Sequence, residues 1–263
     1  MDSLFDTLLK YDSIYLSSRP GMGDTTFIVN LADAYLKSGA GKNIAIFAYD
    51  IRSSRGITVN DNFGARFKAR ESENELYELI KSAKTEAFDG KRIPQNEHIV
   101  YFEGRGFTAD FIKSKVINSC DIGLVFLDAP FFSVENTSYP AEYEEIAKML
   151  QWLKVRGIKF VWANSLCPGG VRRTNYRPRR ADFIKESALF DITISIYRDE
   201  YYIDNDFIKI HTGKGWRKIY YKFDSPCLPK REEIRIYHKN KKRAQVVPVS
   251  FDFAHQRITE KDS

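Results

Sequence analysis

The stretch SSRPGMGDTT, Ser17 to Thr26, lies between a short apolar run, Ile14 to Leu16, and an amphipathic helix expected from about Thr25 to Ser38, with Phe27, Leu31, Ala34 and Tyr35 along one side. A glycine-bearing turn from strand to helix lets successive backbone N–H groups wrap a phosphate, and the positive end of the helix favours an anion. A complete loop of this kind also carries a Lys for the β/γ charge and a Ser or Thr for Mg²⁺. Gly21, Gly23, Thr25 and Thr26 suit the wrap and the metal ligand, and Arg19 is the nearest cation. The Lys is missing: Asp24 stands in its place, and Ser17 stands where the first Gly belongs.

Outward from the loop, apolar runs and amphipathic segments alternate. Strands are expected at Asn43 to Tyr49, His98 to Phe102, Ile122 to Leu127 and Lys159 to Ala163, with helices near Ser72 to Ala87, Ala109 to Ser119 and Ala141 to Val155. The uninterrupted run Ile122 to Leu127 is typical of a strand buried on both faces of a parallel sheet. Such alternation predicts an α/β fold, a mainly parallel doubly wound sheet with helices on both faces and ligands at the strand C-termini. Three later runs, Ile192 to Tyr197, Phe207 to His211 and Lys218 to Phe223, read as an antiparallel C-terminal extension. The charged segment after Pro229 reads as a basic, partly flexible tail, which divides the chain into 1–228 and 229–263.

At 263 residues and 43% hydrophobic content, one large core is expected. Cys120, Cys167 and Cys227 are far apart and the four histidines are scattered, so neither a disulfide framework nor a zinc site is suggested. The acidic N-terminus is unlike a signal peptide and no run is long enough to span a bilayer, so a cytoplasmic protein is expected, without membrane contact. The net charge of +6 is uneven: basic residues crowd into RRTNYRPRR, Arg172 to Arg180, and KNKKR, Lys239 to Arg243. Arg172, Arg173, Arg177, Arg179 and Arg180, with Tyr176 among them, offer the cation density and stacking surface that single-stranded DNA or another nucleic acid requires. A solvated loop, or one that pairs with acids of a partner protein, is the alternative.

Five landmarks resemble one family. RPGMGDTTFIVNLA is similar to the nucleotide loop of DnaB-type replicative helicases, and GFTADFIKSKVINSCDIGLVFLDAPF to the helix and strand that bear their Walker B Asp, here Asp128. IAKMLQWLKVRGIKFVWANSL resembles the helix and strand ending in a sensor Gln. DFIKESALFDITISIYRDEYY resembles the family's DLRES stretch and YRDEYY strand, and the arginine-rich stretch falls where the family's DNA loop lies. The likeness runs from about Ile14 to Phe223 and implies a RecA-like P-loop motor domain, ATP with Mg²⁺ held by Thr25 and Asp128, single-stranded DNA, a replication protein or helicase partner, and a weak or conditional oligomer. The family's N-terminal helical domain has no counterpart in the sequence.

Carried over position by position, the catalytic set is mostly altered. Asp50 stands where the family has its catalytic Glu, Ser165 replaces the sensor Gln, and the Lys-x-Arg finger pair falls on His211 and Gly213, with Lys214 nearby. Three functions remain open: a helicase-like protein with impaired hydrolysis that binds nucleic acid or a replication partner; an active ATP-dependent helicase in which Arg19, Lys42 or Lys214 replaces the missing Lys; and a protein-interaction module that caps or regulates a helicase ring.

Overall fold

A computed structural model describes residues 3–18, 22–49, 70, 91–93, 96–104, 107–128, 139–165, 179–180, 183, 185–198, 208–212, 215–219 and 232–261. In chain order these form α1 (Leu4–Leu8), β1 (Ser13–Ser18), α2 (Asp24–Lys37), β2 (Asn43–Tyr49), β3 (Lys91–Ile93), β4 (Asn96–Gly104), α3 (Ala109–Asn118), β5 (Ile122–Asp128), α4 (Tyr139–Val155) and β6 (Lys159–Ser165). A 3-10 turn (Lys185–Leu189) leads to β7 (Ile192–Arg198), β8 (Ile208–Thr212), β9 (Gly215–Ile219), β10 (Glu232–His238), β11 (Gln245–Asp252) and β12 (Arg257–Glu260). The expected helix near 72–87 lies outside the described residues.

The main sheet runs β12-β11-β10-β7-β1-β6-β5-β2-β4-β3. Its six central strands, β7 to β4, are mutually parallel, so their C-terminal ends share one edge. Along β1 the alternation of side chains sends Ile14 and Leu16 to one face, against α1 and α2, and Tyr15 to the other, with Phe107, Ile112, Ile146 and Trp162. Helices therefore cover both faces and the central strands are buried, which is why β5 carries no polar residue before Asp128. Gly123 opens that strand because the Tyr35 hydroxyl lies over it: a Cβ there would sit 2.0 Å from the oxygen.

The expected α/β class with an antiparallel C-terminal extension is what the sheet shows, but different strands make the extension. The segment assigned to it first, 192–197, is β7 and pairs parallel with β1. The next two runs became β8 and β9, the second shifted toward the N-terminus, and they form a separate two-stranded sheet. The extension itself is β10, β11 and β12, within the stretch expected as a tail from 229. Charge concealed these strands. In β10, Glu232 pairs with Arg198 at 3.2 Å and Glu233 with Arg235 at 2.6 Å, so acids and bases that look solvated are internally matched.

Candidate functional site

The parallel strands end at one level. Ser18 of β1 lies opposite Ser165 of β6, and Asp128 of β5 opposite Ala163 and Ala48. From that edge the chain enters α2 through Gly23, whose φ of 114° only glycine adopts without strain. α2 begins at Asp24, one residue before its expected start.

The Asp24 carboxyl turns back toward the strand, where the Ser18 hydroxyl donates to its Oδ1. Removal from water pushes its pKa up to about 7 from 3.8; the Ser18 bond opposes that rise, and the nearby Asp128 carboxylate adds to it. Near neutral pH this residue is thus poised between acid and anion. Two carboxyls and a buried hydroxyl occupy the strand ends, where a triphosphate loop carries a cation. Thr25, half-buried, supplies a further hydroxyl in the first turn of α2, and with Asp128 it is the pair available for a cation. Among the described residues no three His, Cys, Asp or Glu side chains are grouped to hold a metal ion.

The second part of the site comes from the far end of the chain. Phe251 and Phe253 stack with centroids 5.3 Å apart and planes 12° from parallel, and their edges abut Gly23: a Cβ there would lie 2.9 Å from Phe251 and 3.1 Å from Phe253. Arg198 covers Phe253, its guanidinium 4.1 Å from the ring centroid. Beyond the pair, the chain turns through Gln256 at φ 53° and inserts its side chain beside α2. Thr26 Oγ1 donates to Gln256 Oε1 at 3.0 Å. Asn30 Nδ2 donates to the Gln256 carbonyl at 2.9 Å, and Asn30 Oδ1 accepts from the Ile258 N–H at 3.1 Å. The β11–β12 hairpin therefore holds the glycine turn and the first two turns of the helix. Asn30, Phe251, Phe253 and Gln256 were not among the sequence candidates. A polar Asn on the inward side of an otherwise apolar helix was the one visible signal.

Several expected positions can be placed. Gly23, Asp24, Thr25, Thr26 and Asp128 come together at the strand ends, and β6 brings Ser165 there. Thr26 faces Gln256 and is buried, turned away from solvent. His211 lies on β8, in the separate sheet. Lys42 precedes β2 at the opposite end of the strands, packed over Gly123. Seven strand residues separate it from the loop edge, roughly 20 Å at 3.3 Å each, so it cannot replace the missing Lys. Arg179 is exposed, and Arg180 donates to the main-chain carbonyls of His238, Lys239 and Lys241, at 3.2 Å for the last two. Arg19, Gly21, Asp50, Arg172, Arg173, Tyr176, Arg177, Gly213 and Lys214 lie outside the described residues.

A glycine turn into α2, an acid at the tip of β5 and the sensor strand β6 between them match known architectures. The solved ATPase domain of a DnaB-like helicase superposes with a TM-score of 0.63 at 15% identity, covering 96% of this chain and 86% of that one. The chain has the RecA-like fold of a DnaB-type motor domain. A DnaB-like replicative helicase, whose structure was described with its interactions with primase, gives a TM-score of 0.61 at 15% identity over 94% of this chain, which spans 58% of the helicase. A KaiC-like protein of Pyrococcus horikoshii OT3 gives 0.52 at 11% identity, over 95% and 89% of the two chains. No protein-family model matches the chain, and no curated protein matches it in sequence. No helix among the described residues is long and apolar enough to cross a membrane.

Proposed function

We propose that this DnaB-like domain is catalytically impaired and acts by binding nucleic acid or a replication partner, not by turning over ATP. The observation that carries this reading is Asp24, a carboxyl hydrogen-bonded to Ser18 beside Asp128 in the place of the loop cation. Phosphoryl transfer is positioning plus electrostatic stabilisation. At an effective dielectric near 20, two like charges 4 Å apart repel by roughly 4 kcal/mol, so an anion at this position opposes the β/γ-phosphates. The residues present do not fit a nucleoside triphosphate. They suit a cation better, and a divalent ion held by Thr25 and Asp128 would lessen the repulsion.

Steady-state ATPase with and without single-stranded DNA tests the proposal, together with a thermal shift in Mg-ATP. Turnover well below about 1 s⁻¹, outside the ordinary enzyme range, is expected, with no appreciable shift. A DNA-stimulated rate at or above that level would make the chain an active ATPase and overturn the reading.

A further inference from the structure

The N-terminal ends of the parallel strands, remote from the glycine loop, carry a second charged surface. There β10 ends at His238, opposite Ile192 at the start of β7, and the turn Lys239 to Arg243 leads into β11. Arg180 reaches this turn and donates to three main-chain carbonyls there, which ties together the two cationic stretches that are far apart in sequence. Lys239, Lys241, Lys242 and Arg243 are exposed, and among the described residues Lys241, Lys242 and Arg243 have no carboxylate partner.

The acids of this end are already engaged. Asp191 Oδ2 accepts from the Asp12 and Ser13 N–H groups, at 3.1 and 2.9 Å, and from the Ser13 hydroxyl at 3.1 Å. Asp12 pairs with Lys154 at 3.4 Å and Lys159 at 3.7 Å. The turn thus projects three uncompensated charges, held in place by an arginine whose own hydrogen bonds go to the backbone. Beside it opens a cleft of about 210 Å³ with Leu150, Leu153 and Phe160 as apolar wall, Gln151 as a hydrogen-bonding group, and Lys154 and Lys239 at its edge.

We propose that this end of the sheet is a docking surface for single-stranded nucleic acid, with backbone phosphates on Lys241, Lys242 and Arg243 and an unpaired base entering the cleft beside Lys239. Phosphate tracking by cations beside a recess for a base suits an unstacked strand, whereas a duplex keeps its bases stacked and out of reach. The surface gives a location to the nucleic-acid part of the proposed function and rests on that part of it.

Each phosphate neutralised on a single strand contributes roughly −0.7 to the slope of log K against log salt. Binding of fluorescent oligothymidylate to the full chain between about 50 and 200 mM salt should therefore lose about 2 from its slope in the variant K241A/K242A/R243A. Arg180→Ala should weaken affinity through the misplaced turn. An unchanged slope in the triple variant, with binding intact, would overturn the surface and leave the impaired-ATPase reading standing; measurable ATP turnover would do the reverse. Equal affinity for duplex, or stronger capture by vesicles containing phosphatidylserine that the triple variant abolishes, would also overturn it. The three side chains hold no ion-pair partner among the described residues, so an unaltered melting temperature shows that the variant is folded.

Discussion

The two ends of the central sheet handle charge in opposite ways. At the loop end, Asp24 and Asp128 lie close together at the strand tips and their repulsion is absorbed internally, by a Ser18 hydrogen bond and a proton held near neutral pH. At the other end the acids are saturated by backbone N–H groups and lysines, and the excess cations are left outside. A parallel sheet places its ligand edge at the strand C-termini. Here that edge is crowded by the chain's own carboxyls and by an aromatic pair, while the opposite edge offers open charge. The difference teaches that a fold can keep its ligand edge in shape while the chemistry for polyanions sits elsewhere.

The contrast is broken most severely at Gly23. Gly23→Ala must adopt a left-handed conformation and displace two stacked rings, so a loss of about 2–4 kcal/mol is expected in urea unfolding. A neutral result would mean that Phe251 and Phe253 do not press on the turn. Asp24→Asn keeps an acceptor for Ser18 and removes the charge. In the folded chain the carboxyl holds its proton up to about pH 7, whereas unfolded it ionises near 3.8, so its contribution to stability falls as pH rises between those values and is constant above them. The variant should therefore be more stable than the parent by roughly 2–4 kcal/mol above pH 7, and should lose the parent's downward slope between about pH 4 and 7. Equal slopes in the two proteins would show that Asp24 is not the titrating group. Gln256→Ala leaves the buried Thr26 hydroxyl without its acceptor, for an expected loss of about 1–3 kcal/mol measured by the same unfolding experiment. The smallest change belongs to the other end, where replacing Lys241, Lys242 and Arg243 should alter stability by no more than about 0.5 kcal/mol.

Much of the fold was legible. The apolar runs at 43–49 and 122–127 fall within one residue of β2 and β5, because strands buried on both faces need continuous hydrophobicity and leave a strong signal. The loop was legible too, since a glycine turn between strand and helix is a local feature. What escaped was non-local. Glu233 and Arg235 look like a solvated tail until each is seen to neutralise the other within β10. Phe251, Phe253 and Gln256 carry no motif, and their meaning depends on Gly23 and Thr26, more than two hundred positions earlier. Asp24 was recognised as the anomaly, but its partner was not: Ser18, six residues back, receives no mark from pattern alone.

The bond from Thr26 to Gln256 spans 230 positions, and that from Asn30 to Ile258 spans 228. During synthesis the first helix after β1 emerges early and must wait for nearly the whole remaining chain before its inner polar groups are satisfied. Until β12 arrives, Thr26 and Asn30 stay hydrated, and the segment between Gly23 and Asn30 has no fixed seat on the sheet. Closure entropy for so long a loop is large, and contacts of such separation form late. The order of assembly therefore runs from the sheet's centre outward, and the glycine turn is completed near its end.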